Sequence, residues 1–260
     1  MERCTEIAKA LSTIDSVDAV ALAGSSSFLI NDLFSDYDMY VYSDSGVSLE
    51  DRRRVLDPFG ETRIGNDFFE DGYEVFGDRD TDIMYRTYGW MEDQIRDVWI
   101  ECRPRLGYTT CFIHNLRTSR ILFDRTGRLS RLQEMVSTPY PELLRRRIIE
   151  KNLAIIDGDT AETYCSQLEV ACRRGDIVSM NHRLSALLAS YFDIIFAYSR
   201  LLHPGEKKLL WYPDRMGAEV PESFESDIRR VLEGASDPQR LMASVRSLVD
   251  NLRKMLGKEA

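Results

Sequence analysis

The amino-acid sequence predicts an α+β fold, with a mixed β-sheet and flanking helices in its first half and an all-α helical bundle in its second. Three observations predict it. Short runs rich in β-branched and aromatic residues, broken by Gly, Ser and Asp, fill the first half. Apolar residues at three- and four-residue spacing run through the second half. Between the two, residues 137–141 (STPYP) carry two prolines that stop regular structure. The boundary falls there, giving domains at residues 1–138 and 139–260.

Taken in order, residues 6–11 predict a first helix, and the apolar run 19–23 has the length and composition of a buried strand. Gly24 and three serines then break the pattern. Residues 38–42 predict a second strand and 81–87 (TDIMYRT) a third with alternating polarity; 110–113 and 119–123 predict two more. Residues 121–129 (ILFDRTGRL) read as strand, turn and helix start, with Asp124 in the turn. Helices are expected over 141–156, 161–173, 177–202, 221–233 and 238–256. Asp176 and Asp237 stand at N-cap positions, and Gly158, Gly175 and Gly234 where helices end.

Composition narrows the partners. A net charge of −9 and a pI near 5.0 exclude non-specific nucleic-acid binding, which needs a basic face. An acidic chain can still take a nucleoside triphosphate if divalent cations and a few basic side chains neutralise the phosphates. Five scattered cysteines form no CxxC pair and read as reduced thiols. The first ten residues lack the apolar run of a signal peptide. The most apolar stretch, 184–202, is interrupted by Ser185, Ser190, Asp193 and Arg200, so it reads as a buried helix and not a membrane span. A cytoplasmic protein with no membrane partner is the expectation.

The chemistry concentrates in residues 19–42, AVALAGSSSFLINDLFSDYDMYVY. A buried strand ends at Gly24, whose missing side chain allows a sharp turn and close approach to a phosphate. Ser25 follows, and residues 26–30 can open a helix whose N–H groups face that phosphate. The chain then returns as a strand carrying Asp36 and Asp38. Strand side chains alternate, so these two carboxylates share a face, about 7 Å apart along the strand. Magnesium takes one or two carboxylates plus phosphate oxygens. Two such ions, about 3.5–4 Å apart, can hold the attacking and leaving oxygens of an in-line displacement.

Gly24-Ser25 followed by Ser35-Asp36-Tyr37-Asp38-Met39 resembles the signature of the nucleotidyltransferase superfamily typified by DNA polymerase β, in the style of its minimal and antibiotic-modifying members. The motif covers about residues 19–90. The resemblance implies that Gly24 and Ser25 contact the nucleotide phosphates and that Asp36 and Asp38 hold two magnesium ions. It also implies a third carboxylate on a later strand. Asp82 matches that pattern because it directly precedes apolar residues, while Asp80 shares its parity and stays open as the alternative. The helical second half is similar to lincosamide- and aminoglycoside-type enzymes and to an uncharacterised bacterial family, whose later signature residues 196–211 (FAYSRLLHPGEKKLLW) resemble. There Lys207, or beside it Lys208, is expected to bring charge to the triphosphate, with His203 structural or exposed and not catalytic.

Other features have plainer readings. Residues 67–82 hold seven acidic side chains and one arginine, a solvated acidic loop that could otherwise face a cationic acceptor. Arg145, Arg146 and Arg147 spread over about 200° of a helix and read as a solvated face. Trp90, Trp99 and Trp211 read as packing residues. The combined expectation is a magnesium-dependent enzyme moving a nucleoside monophosphate, AMP from ATP or another triphosphate, to a hydroxyl acceptor with release of pyrophosphate. The acceptor, a small molecule or a protein, is not legible. One rival is a non-catalytic nucleotide-binding regulatory or antitoxin-like module on the same fold; another is a helical interaction protein with a scaffold N-terminal half.

Overall fold

A computed structural model describes residues 2–24, 36–65, 71–159 and 162–257. The chain divides into two compact units. One comprises Met1–Ile100 with Phe112–Pro139, the other Glu101–Cys111 with Tyr140–Ala260.

The first unit is built on a six-stranded mixed sheet in the order β3-β4-β5-β2-β1-β6. Its strands are β1 (Ala19–Ala23), β2 (Tyr37–Tyr42), β3 (Thr62–Gly65), β4 (Asp71–Val75), β5 (Thr81–Arg86) and β6 (Arg120–Asp124). β2 and β5 run parallel, and every other pairing is antiparallel. A parallel pair needs a crossover, and here helix α2 (Leu49–Leu56) and the β3–β4 hairpin supply it.

Alternation sorts the sheet into two faces. Val20, Leu22, Met39, Val41, Tyr73, Val75, Ile83 and Tyr85 point one way, into a core shared with Cys4, Ile7 and Leu11 of α1 (Glu2–Leu11) and Val55 and Leu56 of α2. The other face carries Ala21 and Ala23, Asp38 and Tyr40, Asp82, Met84 and Arg86. Its neighbours in this unit include α3 (Tyr88–Gln94), continued by a π-helical turn Ile95–Ile100, and α4 (Cys111–Thr118). Helix α5 (Arg128–Val136) follows β6, and Asp124 Oδ2 accepts from the Ser130 N–H at 2.9 Å and its hydroxyl at 2.8 Å, the turn chemistry the sequence predicts.

The second unit is helical: α6 (Glu142–Asp157), α7 (Tyr164–Arg174), α8 (Ile177–Tyr198), the short α9 (Tyr212–Met216), α10 (Phe224–Glu233) and α11 (Pro238–Leu256). Residues 190–198 of α8 are all buried, Ser190 and Asp193 among them, and α6 and α7 pack against the helix. Asp176 and Asp237 cap α8 and α11 as the sequence predicts. Among the described residues, no helix is long and apolar enough to cross a membrane.

Several sequence expectations are corrected. Residues 111–113 open helix α4, with Thr110 in the turn before it, and are not a strand; Ile113 and Leu116 are buried at three-residue spacing, a period too long for a four-residue window to register. The acidic stretch contains β4, in which Gly72, Tyr73 and Val75 are buried while Asp71 is exposed. Helix α8 stops at Tyr198, four residues short of 202, because Arg200 has a φ of 57°. Arg145 is 7% exposed and its Nε donates to the Tyr198 carbonyl at 3.1 Å, so it is a packing residue and not part of a solvated face. Segment Glu101–Cys111 groups with the helices through polar bonds. Arg147 donates to the Glu101 carbonyl at 2.9 Å, Lys151 to that of Pro104 at 2.8 Å and Asn152 to that of Arg105 at 3.1 Å.

Candidate functional site

The site grows from one end of the sheet. β1 ends at Ala23, paired with Asp38 at the start of β2, and Asp38 is paired in turn with Asp82 near the start of β5. The two aspartates therefore sit side by side on neighbouring parallel strands, with backbones roughly 5 Å apart and side chains on the same face. The row continues through Glu74 of β4 to Arg63 of β3, and these two form an ion pair. Asp36, one residue outside β2 and exposed, has the parity of Asp38.

Gly24 completes the corner. Its φ is +65°, and a Cβ built on it would fall inside the Asp38 carboxylate. Two independent features therefore demand glycine: a left-handed backbone, and a carboxylate resting where any side chain would be. Asp80 is occupied differently. Its Oδ1 accepts from the Gly77 N–H at 3.3 Å and its carbonyl from the Tyr37 N–H at 2.9 Å, so it shapes the β4–β5 turn and ties it to β2.

Beyond the carboxylates, the same face carries a cluster that sequence reasoning missed. The Arg86 guanidinium lies 3.7 Å from the Tyr40 ring centroid, 5.0 Å from that of Trp90 and 5.4 Å from that of Phe112. Asn115 accepts from Arg86 Nη1 at 3.4 Å and reaches the Tyr40 hydroxyl at 3.5 Å. His114 is pushed down to about 4 by burial, so the imidazole beside Asn115 is neutral at physiological pH. The available signal was parity: in TDIMYR, Arg86 falls on the face of Asp82.

Ser25 and the helix expected over 26–30 lie outside the described residues. Lys207 is an exposed turn residue of the second unit, as is Lys208, whose φ is 57°. His203 is fully buried, packed edge-on to Tyr108 and tilted against Phe196 with centroids 4.9 Å from each, and its Nδ1 accepts from the Gly205 N–H at 3.1 Å.

Whether these residues fit magnesium is a question of donors. Among the described residues, no three His, Cys, Asp or Glu side chains gather into one group able to hold a metal, so Asp36, Asp38 and Asp82 do not form a complete cage. Asp38 and Asp82 do supply two hard oxygen donors in adjacent register, beside a corner that a Cβ would fill. Magnesium characteristically binds through one or two carboxylates and takes its remaining ligands from phosphate and water. The pair fits that mode.

Comparison with known proteins adds two likenesses. The protein family described as "Domain of unknown function (DUF4037)" matches residues 109–214. Among solved structures, the chain is similar to a nucleotidyltransferase-like protein from Exiguobacterium sibiricum 255-15. The identity is 10% and the TM-score 0.43, over 99% of this chain and 77% of that one. A likeness at this level assigns no activity. No curated protein matches the chain.

Proposed function

We propose that the chain is a magnesium-dependent nucleotidyltransferase, moving AMP from ATP, or a nucleoside monophosphate from another triphosphate, to a hydroxyl acceptor. One observation carries the reading: Asp38 stands in register with Asp82 on a neighbouring parallel strand, with its carboxylate seated on the side-chain-free Gly24. The resemblance of Gly24-Ser25 and Asp36-Tyr37-Asp38 to the superfamily signature supports the same reading.

In this reading Asp38 and Asp82 hold the cation, and Asp36 at the mouth of β2 joins them when the nucleotide is bound. Gly24 lets the backbone approach the phosphates, and Ser25 contacts them. Bound here, magnesium supplies positive charge to the phosphate oxygens. The acceptor oxygen forms a bond to the α-phosphorus while the bond to the bridging oxygen of the β-phosphate breaks. Pyrophosphate leaves, and the hydroxyl proton passes to a carboxylate of the row. Most of the rate then comes from positioning and charge neutralisation. The acceptor is a small molecule of the aminoglycoside or lincosamide kind, or a protein.

The rival is a nucleotide-binding module without transfer, and the lack of a three-carboxylate group among the described residues favours it. Incubation with α-labelled ATP and magnesium against amino sugars, lincosamides and cell extract separates the two. Transfer of label by the native chain, lost at least a hundredfold in Asp38→Asn and Asp82→Asn with the fold intact, is the expected result. Magnesium-dependent ATP binding without pyrophosphate release from any mixture establishes the rival instead.

A further inference from the structure

The proposed site contains a charge that the carboxylate chemistry leaves unexplained. Arg86 closes β5 two positions beyond Met84, which is itself two beyond Asp82, all on one face. It is 7% exposed. Its guanidinium lies 3.7 Å from the ring centroid of Tyr40, and Tyr40 is the next residue after Asp38 on that face. The side chain therefore lies over Tyr40, and Trp90, Phe112 and Asn115 hold it there. An arginine stays charged at every physiological pH, and burying it costs more than burying an apolar chain of the same length. A methionine would fill this slot. What arginine adds is a positive charge, held by Asn115 and the aromatic rings, on the face that carries the two carboxylates.

We propose that Arg86 is a positioning residue that makes the carboxylate pair selective for a cation accompanied by phosphate. Its field offsets the repulsion between Asp38 and Asp82 before substrate arrives, and it opposes a bare divalent ion. A cation that arrives with the triphosphate brings negative charge with it, and the same field then favours binding. This rests on the reading of the site as nucleotide-binding and adds a reason for its preference between free metal and metal–nucleotide complex.

The test compares Arg86→Met and Arg86→Lys with the native chain, measuring Mn2+ alone by electron paramagnetic resonance and ATP with magnesium by calorimetry. One unit charge roughly 10 Å from a divalent ion, at an effective dielectric near 20, changes its affinity by about a hundredfold or more, and solvent screening reduces this. Arg86→Met is expected to bind bare Mn2+ at least about tenfold more tightly and the magnesium–ATP complex at least about tenfold more weakly. Arg86→Lys should stay close to native in both. Affinities that fall together, or that do not move in a folded Arg86→Met protein, overturn the proposal. If Arg86→Met loses its near-ultraviolet circular dichroism, Arg86→Gln carries the same expectation. Unfolding of both neutral variants assigns Arg86 to packing and overturns it too. A native chain that binds neither probe refutes the nucleotidyltransferase reading, whereas native binding without opposite shifts refutes only the role of Arg86.

Discussion

Placing a methyl group at Gly24 tests the corner of the site with two separable penalties. The residue has a φ of +65°, and an alanine held there costs about 1–2 kcal/mol from the contact between its Cβ and the following carbonyl. The new Cβ also falls inside the Asp38 carboxylate, so Asp38 must rotate out of its place opposite Asp82. Forcing a side chain aside in a packed site costs about another 1–3 kcal/mol. Gly24→Ala should therefore lower unfolding stability by about 2–5 kcal/mol. In an Asp38→Gly background, which removes the Asp38 atoms meeting that Cβ, only the backbone penalty remains. Urea denaturation followed by circular dichroism gives all four corners of the cycle, and comparable m-values keep the comparison valid. A coupling of about 1–3 kcal/mol is expected. Equal costs in both backgrounds would refute the placement of Asp38 against Gly24, and with it the geometry on which the proposed ion site depends.

Two further outcomes are expected. Asp193 is 1% exposed and accepts from the Thr109 N–H at 3.0 Å, its hydroxyl at 2.6 Å and Asn152 Nδ2 at 3.2 Å. Burial raises its pKa from the ordinary 3.8 to about 6 against those three donors. The folded state holds this proton more tightly than the unfolded one, so the contribution is fully present below pH 3.8 and is lost as pH rises to about 6. Stability of the native chain relative to Asp193→Asn should fall across that window by on the order of 2–3 kcal/mol, and a flat difference would contradict it. For Lys207, whose role rests on the resemblance alone, Lys207→Ala is expected to lower transferase activity at least tenfold with an unchanged melting temperature; full activity would return it to the solvated surface.

Local signals carried much of this protein into view. β1, β2 and β5 were legible because each is a short apolar or alternating run with a turn residue at its edge. The helices of the second half were legible because their apolar residues recur with the helical period and their ends carry Asp or Gly. That Asp36 and Asp38 share a face was legible because strand parity is a local property, whereas Gly24 is read from the turn and the preference for Asp82 over Asp80 rests on the resemblance. β3 and β4 were not, since short strands of glycine and charged residues look like a solvated loop until their partner strand is known. The burial of Arg145 was equally hidden, because its acceptor is the carbonyl of Tyr198, 53 residues away.

By itself, the order of residues determined which side chains share a face within a strand and which stretches of the second half are helical. Both depend only on a backbone repeat of two or 3.6 residues. Tertiary structure decided what lies opposite what. It set β5 beside β2 in parallel, so that Asp82 meets Asp38 while Asp80 serves a turn, and it rested the Asp38 carboxylate on Gly24. It also drew Arg86 back over Tyr40. These are pairings between segments tens of residues apart, and they are selected by the packing of a whole sheet against its helices, which no window of the chain contains.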